Sequence, residues 1–193
     1  MKPTWIVLGV VALLIVVLLF IGGSYVGSKN QMVAKDQNVQ AAFSEIDVNL
    51  QRRADLIPNL VATVKGYANV EETVLNNIAQ ARSGLLQAKT PDEKLAANDR
   101  LNVALLPLMR LQENYPQLKS NDQFMRLQDE LAGTENRIAV ARRRYNESIR
   151  EYNTFIQQFP NSIWANIAGF HPKNEYYTAE PGSKVAPKVD FSK

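Results

Sequence analysis

The chain has 193 residues, with 22 Lys and Arg against 19 Asp and Glu, a single His, no Cys and a formal net charge of +3. This near balance of charge argues against nucleic acid as a partner, because proteins that bind nucleic acid concentrate basic residues on one face. The lack of Cys excludes disulfides and thiol chemistry, and one His excludes a His-based metal cluster or catalytic triad.

The first predicted element is a membrane anchor. An uncharged run extends from Pro3 to Ser28 and is almost unbroken in apolar character from Trp5 to Ile21. An α-helix needs about 20 such residues to cross roughly 30 Å of hydrocarbon. We therefore predict a short segment at 1–4 and a single transmembrane helix at 5–26. A cleaved signal peptide is the alternative, but the apolar core is longer than usual for one and no A-x-A site follows.

The side of the membrane that holds the rest of the chain is only weakly specified. Lys2 lies before the apolar run, whereas Lys29 and Lys35, opposed by Asp36, lie after it. The positive-inside rule compares the Lys and Arg that flank a span, and here the two counts are nearly equal. We favour slightly an arrangement with the soluble domain outside the cytoplasm.

Residues 30–159 are predicted to form long helices. A 4-3 apolar repeat runs from Val39 to Ala88, interrupted only by Arg53 and Glu71. Such spacing keeps one stripe facing a partner helix and predicts coiled-coil-like packing. The segment 69–72 resembles a helix start, but the apolar phase passes through it, so we favour one continuous helix. The predicted fold class is all-α: a single transmembrane helix, then an antiparallel, coiled-coil-like bundle of three to four helices with a very long first helix.

Two capping boxes predict where the later helices begin. These are Thr90-Pro91-Asp92-Glu93 and Ser120-Asn121-Asp122-Gln123. The helix after Ser120 has the cleanest heptads in the chain and should end at Pro160. Its predicted seam is Phe124, Leu127, Leu131, Thr134, Ile138, Ala141, Tyr145, Ser148, Tyr152, Phe155 and Phe159.

The carboxyl-terminal part divides into a short helix and a tail. Residues 160–170 predict an amphipathic helix that ends at Gly169. Its residues Trp164, Ile167 and Phe170 either pack under the bundle, which we favour, or lie in a lipid interface.

Residues 171–193 contain three prolines and no helical period, which predicts an extended or disordered tail. Apolar residues alternate near its end and are candidates for oligomer contacts, because an extended segment can dock on a neighbouring subunit. They are Val185, Pro187, Val189 and Phe191.

Polar groups near the helical seams are the main candidates for a site. Pro58 leaves the Ala54 carbonyl without its usual helical donor, so we expect a kink and an outside donor. A charge near a seam needs a partner, so we expect Arg52 or Arg53 to bond Glu135. The full candidate cluster is Arg52, Arg53, Asp55, Pro58, Asn59, Glu135, Asn136 and Arg137.

These groups have a structural and a functional interpretation. We favour a role in fixing helix register over a ligand or partner site. Arg142, Arg143 and Arg144 are read as a solvated helix face rather than a phosphate site. With no glycine-rich phosphate loop and no catalytic constellation, we expect no cofactor, no metal and no enzymatic activity. The weakest option is an enzyme that uses Asp55, Glu135 and Arg137.

The chain resembles the LemA family, in motifs that occur in order over residues 30–177. They include Phe43-Ser-Glu-Ile-Asp47, Gln51-Arg-Arg-Ala-Asp-Leu-Ile-Pro-Asn-Leu-Val61, Thr63-Val-Lys-Gly-Tyr-Ala68, Glu113-Asn-Tyr-Pro-Gln-Leu-Lys119 and Thr134-Glu-Asn-Arg-Ile-Ala139. The chain departs from the family pattern at Phe43, commonly Trp, and at Asn69-Val70, where Ala-His or similar is usual. The resemblance implies a protein of the bacterial cytoplasmic (inner) membrane with an amino-terminal anchor and a helical domain. It also implies an amino terminus outside the cytoplasm, opposite to the charge-based orientation.

Two classes of function follow from these observations. The first is a scaffold that self-associates into a homo-oligomer at the lipid bilayer through its anchor, long helix or tail. The alternative is an adaptor for another membrane protein, such as a protease or a signalling receptor, with the polar cluster and residues 142–144 as its contact surface.

Overall fold

A computed structural model describes residues 3–177, and within that range the protein is all-helical without a strand. The predicted all-α class is therefore confirmed. The helices are α1 (Pro3–Lys65), α2 (Glu72–Gln87), α3 (Pro91–Asn114), α4 (Pro116–Lys119), α5 (Asp122–Gln157) and α6 (Asn161–Ala168). The oligomer-contact candidates Val185, Pro187, Val189 and Phe191 lie outside the described residues.

Helix α1 contains the predicted anchor. Among the described residues, α1 is the one helix that is both long enough and apolar enough to cross a membrane. Every residue from 7 to 23 is exposed, so the protein itself does not bury this apolar surface. That arrangement agrees with a lipid-facing helix and differs from a core helix, which other helices would cover.

The expectation that α1 continues past Asn69 is wrong. The helix ends at Lys65, and α2 begins at Glu72. The Gly66 N–H donates to the carbonyls of both Ala62 and Thr63, and the Tyr67 N–H donates to Val64, so the last turn tightens toward 3₁₀ geometry. Gly is a poor helix former, and its presence at 66 suits this end of the helix.

The described residues form two compact units. The anchor unit comprises residues 3–42 and 144–174, and the core unit comprises residues 43–143 and 175–177. Both units contain segments of α1 and α5, and each has its own buried apolar residues.

In the anchor unit, α1 packs against α5 and α6. The buried apolar residues are Met32, Val39, Tyr145, Ile149, Tyr152, Ile156 and Ala165. Polar contacts surround them: Lys35 Nζ lies 3.3 Å from Glu151 Oε2, and Lys173 Nζ lies 2.9 Å from Asp36 Oδ1. The side chain of Asn153 also bonds both backbone polar groups of Lys173, which ties the start of the tail to α5.

In the core unit, most of the predicted seam positions are buried or half-buried. The unit's largest fully buried side chains are Ile46, Leu50, Ile57, Leu60, Ile78, Leu85, Leu101, Leu108, Leu118, Phe124 and Ile138. Two positions of the 4-3 repeat are exposed, Tyr67 and Glu71, because they fall in the turn between α1 and α2. At the other end of the α5 seam, in the anchor unit, Phe159 is exposed because α5 ends two residues earlier, at Gln157.

One predicted cap is confirmed and the other is displaced. Thr90 and Glu93 form the full reciprocal capping box at the start of α3. At α5, the capping side chain belongs to Asn121, whose Oδ1 accepts from the Phe124 N–H at 2.8 Å. Ser120 instead ends α4 and donates its hydroxyl to the carbonyls of Pro116 and Gln117.

The short carboxyl-terminal helix is present and ends as predicted. Gly169 follows α6 with φ of 77°, a left-handed conformation that glycine adopts without strain. The expected packing holds only in part, since Trp164 and Phe170 are half-buried while Ile167 is exposed.

Candidate functional site

The core unit contains a buried polar cluster, the Arg53 cluster, formed by Arg53, Asn98, Asn102 and Glu135. Arg53 on α1 is only 6% exposed. Its Nη1 donates to Asn98 Oδ1 at 3.2 Å and to Glu135 Oε2, and its Nη2 donates to Asn102 Oδ1. One guanidinium therefore joins α1 to α3 and α5, and the predicted Arg53–Glu135 pair is confirmed.

Burial lowers the pKa of the Arg53 guanidinium. Burial and the nearby Arg142 lower the pKa of Arg53 to about 10, against an opposing effect of Asp99. The guanidinium still remains protonated at neutral pH, so the cluster holds a full positive charge. Glu135 balances it from the cluster's edge, where the Glu135 side chain is 41% exposed. The pair thus places a buried guanidinium on α1 against a partly exposed carboxylate on α5.

Three buried donors near this cluster have no hydrogen-bond partner among the described residues: Arg53 Nε, Asn98 Nδ2 and Arg142 Nε. An unsatisfied buried donor typically costs about 1–3 kcal/mol. Ordered water commonly satisfies such groups. The cluster thus combines hydrogen bonds between helices with buried donors that have no partner among the described residues.

Pro58 has no N–H to donate to the Ala54 carbonyl, and a side chain from another helix donates to that carbonyl instead, as the sequence predicts. Arg82 on α2 donates its Nε–H to the Ala54 carbonyl at 2.7 Å. Its guanidinium also lies 3.9 Å from Asp55 Oδ1, which in turn accepts from Gln51 at 3.0 Å. A helix-breaking residue on α1 is therefore compensated by a specific contact with the next helix.

The remaining predicted site residues lie outside the Arg53 cluster. Arg52 pairs with Glu130 at 2.8 Å on an exposed surface. Pro58, Asn59, Asn136 and Arg137 are exposed and make no side-chain hydrogen bond to the cluster among the described residues. The sequence places them close in number to Arg53 or Glu135, but their helical phase directs them to solvent.

Sequence reasoning missed the two asparagines that complete the cluster. Asn98 and Asn102 lie four residues apart on the side of α3 that also carries Leu101 and Leu105. Asn98 is fully buried. Two amides at i and i+4 beside an apolar stripe are a signal that could have identified them.

The core unit also has an apolar groove between α2 and α3, with a volume of about 840 Å³. Small residues form much of its lining, and Glu93 and Arg100 contribute charge. The small lining residues are Ala81 and Gly84 on α2, Ala88 just after α2, and Ala96, Ala97 and Ala104 on α3. The spacing 81, 84, 88 is a helical stripe of small side chains, a signal that the sequence analysis did not use.

The described residues contain no group of three or more His, Cys, Asp or Glu placed to hold a metal ion. His171, the single histidine, contributes its backbone carbonyl to the Tyr152 hydroxyl at 3.1 Å.

The chain is similar to known proteins over most of its length. A model of the LemA family matches residues 42–191. A protein named LemA from Metamycoplasma hominis is 29% identical over 116 residues, which is 58% of this chain and 52% of that protein. The chain thus spans about half the length of the curated relative. The family match includes the Arg53 cluster, the α2–α3 groove and the tail as far as Phe191.

Proposed function

The chain belongs to the LemA family, and from that premise we propose that it is a non-enzymatic scaffold anchored in the bacterial cytoplasmic membrane, where copies associate into a homo-oligomer. Lipid covers the exposed apolar surface of α1, and the slight bias of flanking charge favours a soluble domain outside the cytoplasm.

The domain that this scaffold presents is an antiparallel, coiled-coil-like bundle of four long helices. The contacts between α1 and α5 in the core unit support that arrangement. Arg52 and Arg53 on α1 pair with Glu130 and Glu135 on α5. Tyr67, two residues after the end of α1, accepts from the side chain of Asn121, the residue before α5. Contacts that lie later in sequence at the α1 side thus meet residues that lie earlier at the α5 side, as expected for two antiparallel helices.

The observation that carries the scaffold proposal is the α2–α3 groove. Its proposed occupant is residues 185–191 from the tail of a second copy. In an extended segment, Val185, Pro187, Val189 and Phe191 lie on one face, since side chains alternate between faces. Such a face suits a groove whose lining includes several alanines and a glycine.

The tail starts at a residue that is held in the core unit. Tyr177 is buried, and its ring centroid lies 5.6 Å from the Arg142 guanidinium in the core unit. From there to Val185 the chain spans up to about 28 Å when extended. The family match ends at residue 191, so the alternating segment belongs to the matched domain.

This contact has a consequence for the assembly. A tail bound in the groove of the next copy is a head-to-tail interface, which closes into a ring or continues as a filament. Anchoring in one bilayer raises the local concentration of copies, so a weak single contact suffices.

Native mass spectrometry in mild detergent tests the proposal. We expect the full chain to give multiples of 21.7 kDa and a variant that lacks residues 178–193 to give mainly the single mass. Single masses for both proteins would contradict self-association. Equal oligomers for both would contradict the role of the tail.

The adaptor function is the second candidate, favoured by the exposed cations Arg137 and Arg143, which form no ion pair among the described residues. Crosslinking in native membranes separates the two functions. A scaffold gives products at multiples of the chain mass, whereas an adaptor gives a distinct partner band.

A further inference from the structure

Helix α6 lies beside the carboxyl-terminal end of the apolar span. Within the anchor unit, the Trp164 ring centroid lies 5.6 Å from that of Tyr25, with the two planes at 70°. The Ser28 hydroxyl donates to Asn161 Oδ1 at 2.9 Å. Tyr25 and Ser28 flank residue 26, where the predicted span ends. The two contacts therefore hold α6 beside the end of the predicted span.

The protein leaves three large apolar side chains of this segment uncovered, beside the exposed polar residues Gln158 and Asn166. Phe159 is 82% exposed, Ile163 is 48% exposed and Ile167 is 65% exposed. Ile163 and Ile167 are four residues apart and share one face of α6. Three large apolar side chains in water next to a membrane span would be unfavourable, whereas the same side chains in lipid gain hydrophobic free energy.

The polar residues around α6 have the chemistry of a membrane interface. Trp and Tyr are enriched at the headgroup level because their rings are amphipathic, and Trp164 and Tyr25 form the contact between α6 and α1. Lys29 is exposed, with its Nζ 6.0 Å from the Tyr25 ring centroid, a position that suits anionic headgroups.

We propose that α6 is an interfacial helix whose Ile163 and Ile167, together with Phe159 just before the helix, insert into the boundary between headgroups and acyl chains. Its partner is the lipid bilayer, and its apolar surface continues that of the α1 span. The inference rests on the transmembrane part of the proposed function. It adds a second membrane attachment at the end of α5, which fixes the anchor unit against the bilayer rather than leaving it on a single tether.

Spin-label accessibility in proteoliposomes tests this placement, and the chain contains no Cys that would interfere. Single Cys residues are introduced at Ile163 and Ile167, at Ile15 in the span, and at Gln37 as a control. Gln37 is exposed on α1 about 18 Å beyond Tyr25, and so lies in water. The full-length variants are labelled and reconstituted in vesicles of phosphatidylcholine and phosphatidylglycerol.

We expect the labels at 163 and 167, like the label at 15, to be more accessible to oxygen than to a water-soluble nickel chelate. The label at 37 should be more accessible to the chelate. If Ile15 favours oxygen while 163 and 167 behave like Gln37, the interfacial helix is contradicted and the anchor stands. If Ile15 also favours the chelate, the transmembrane anchor itself fails.

Discussion

Arg53 is a charged residue at a seam position that the heptad pattern reserves for an apolar side chain. The protein accommodates it by giving its two Nη groups three acceptors on α3 and α5. A pair of this kind specifies one arrangement of helices, because a shift of either partner would leave a buried charge unpaired.

Replacing Arg53 with Ala should therefore lower the free energy of unfolding by about 2–3 kcal/mol, because fully buried Asn98 loses its partner. The matched control is Arg52→Ala, which removes an exposed pair with Glu130 and should lower it by less than about 1 kcal/mol. Denaturant unfolding in detergent measures both. An equal decrease in the free energy of unfolding for the two variants would argue against a structural role of the Arg53 cluster, and so would an unchanged value for Glu135→Gln.

Glu93 gives one residue-scale pH dependence. The N–H groups of Lys89 and Thr90 donate to its carboxylate and lower its pKa below the ordinary value of 4.5. Because the folded pKa is the lower one, the unfolded chain binds more protons between the two values. The stabilisation is therefore present above pH 4.5 and is lost as the pH falls through the folded pKa.

Glu93→Gln keeps an acceptor but removes this titration. The melting temperature of the original chain should exceed that of the variant at neutral pH, and the difference should shrink as the pH falls below 4.5 through the lowered pKa of Glu93. Glu113→Gln, on the same helix but outside the cap, is the control. A difference that stays constant with pH would show that the Glu93 carboxylate does not contribute in this way.

At the scale of elements, Pro58 and Arg82 form a compensating pair. Removing Arg82 leaves the carbonyl of fully buried Ala54 without a donor, so Arg82→Ala should lower the free energy of unfolding by about 1–3 kcal/mol. In a Pro58→Ala background, the new N–H at 58 restores the helical bond to that carbonyl, and the same change should have little effect. A double-mutant cycle measures the coupling, expected at about 1–2 kcal/mol. A coupling near zero would mean that Arg82 does not compensate for the proline.

The helices themselves were largely predictable, because apolar period and capping chemistry are local properties. The seam positions from Val39 to Val64 are buried or half-buried, and the Thr90 box begins α3 as expected. The break after Lys65 was missed because the apolar phase resumes in register across the turn, so periodicity alone does not reveal it. The shift from Ser120 to Asn121 depended on α4, a helix too short to leave a periodic signal.

The candidate site was less predictable than the fold. The sequence suggested Arg53 and Glu135, since a charge in a seam requires a partner, and it suggested an outside donor for Ala54. It did not suggest Asn98, Asn102 or the α2–α3 groove, because these depend on which helix faces which. Asn136 and Arg137 were included for their proximity in sequence to Glu135, and their helical phase places them in solvent.

At the scale of the whole molecule, the proposed assembly depends on the α2–α3 groove. Gly84 lies on the groove wall, and an added Cβ there meets no atom within 4 Å. Gly84→Leu should raise the melting temperature, because Leu is the better helix former by somewhat less than about 1 kcal/mol. It should also obstruct the groove and abolish oligomers in native mass spectrometry.

Gly133→Leu provides the matched control. An added Cβ at Gly133 on α5 also meets no atom within 4 Å, and this position is not in the groove. Its oligomers should be unchanged. Intact oligomers with Gly84→Leu, in a protein that remains folded, would place the self-association surface elsewhere.

The most direct test of the scaffold is crosslinking between copies that carry one cysteine each. Ala81→Cys lies in the groove and Val189→Cys lies in the tail, in a chain that otherwise lacks Cys. The two variants, with different tags, are produced together, and their membranes are oxidised. Ala79→Cys replaces Ala81→Cys as the control, since Ala79 is exposed on α2 and is not a lining residue. We predict a disulfide-linked pair containing both tags for Ala81 and none for Ala79. No mixed pair, or equal pairs with Ala79→Cys, would contradict the proposal that the tail of one copy occupies the groove of the next.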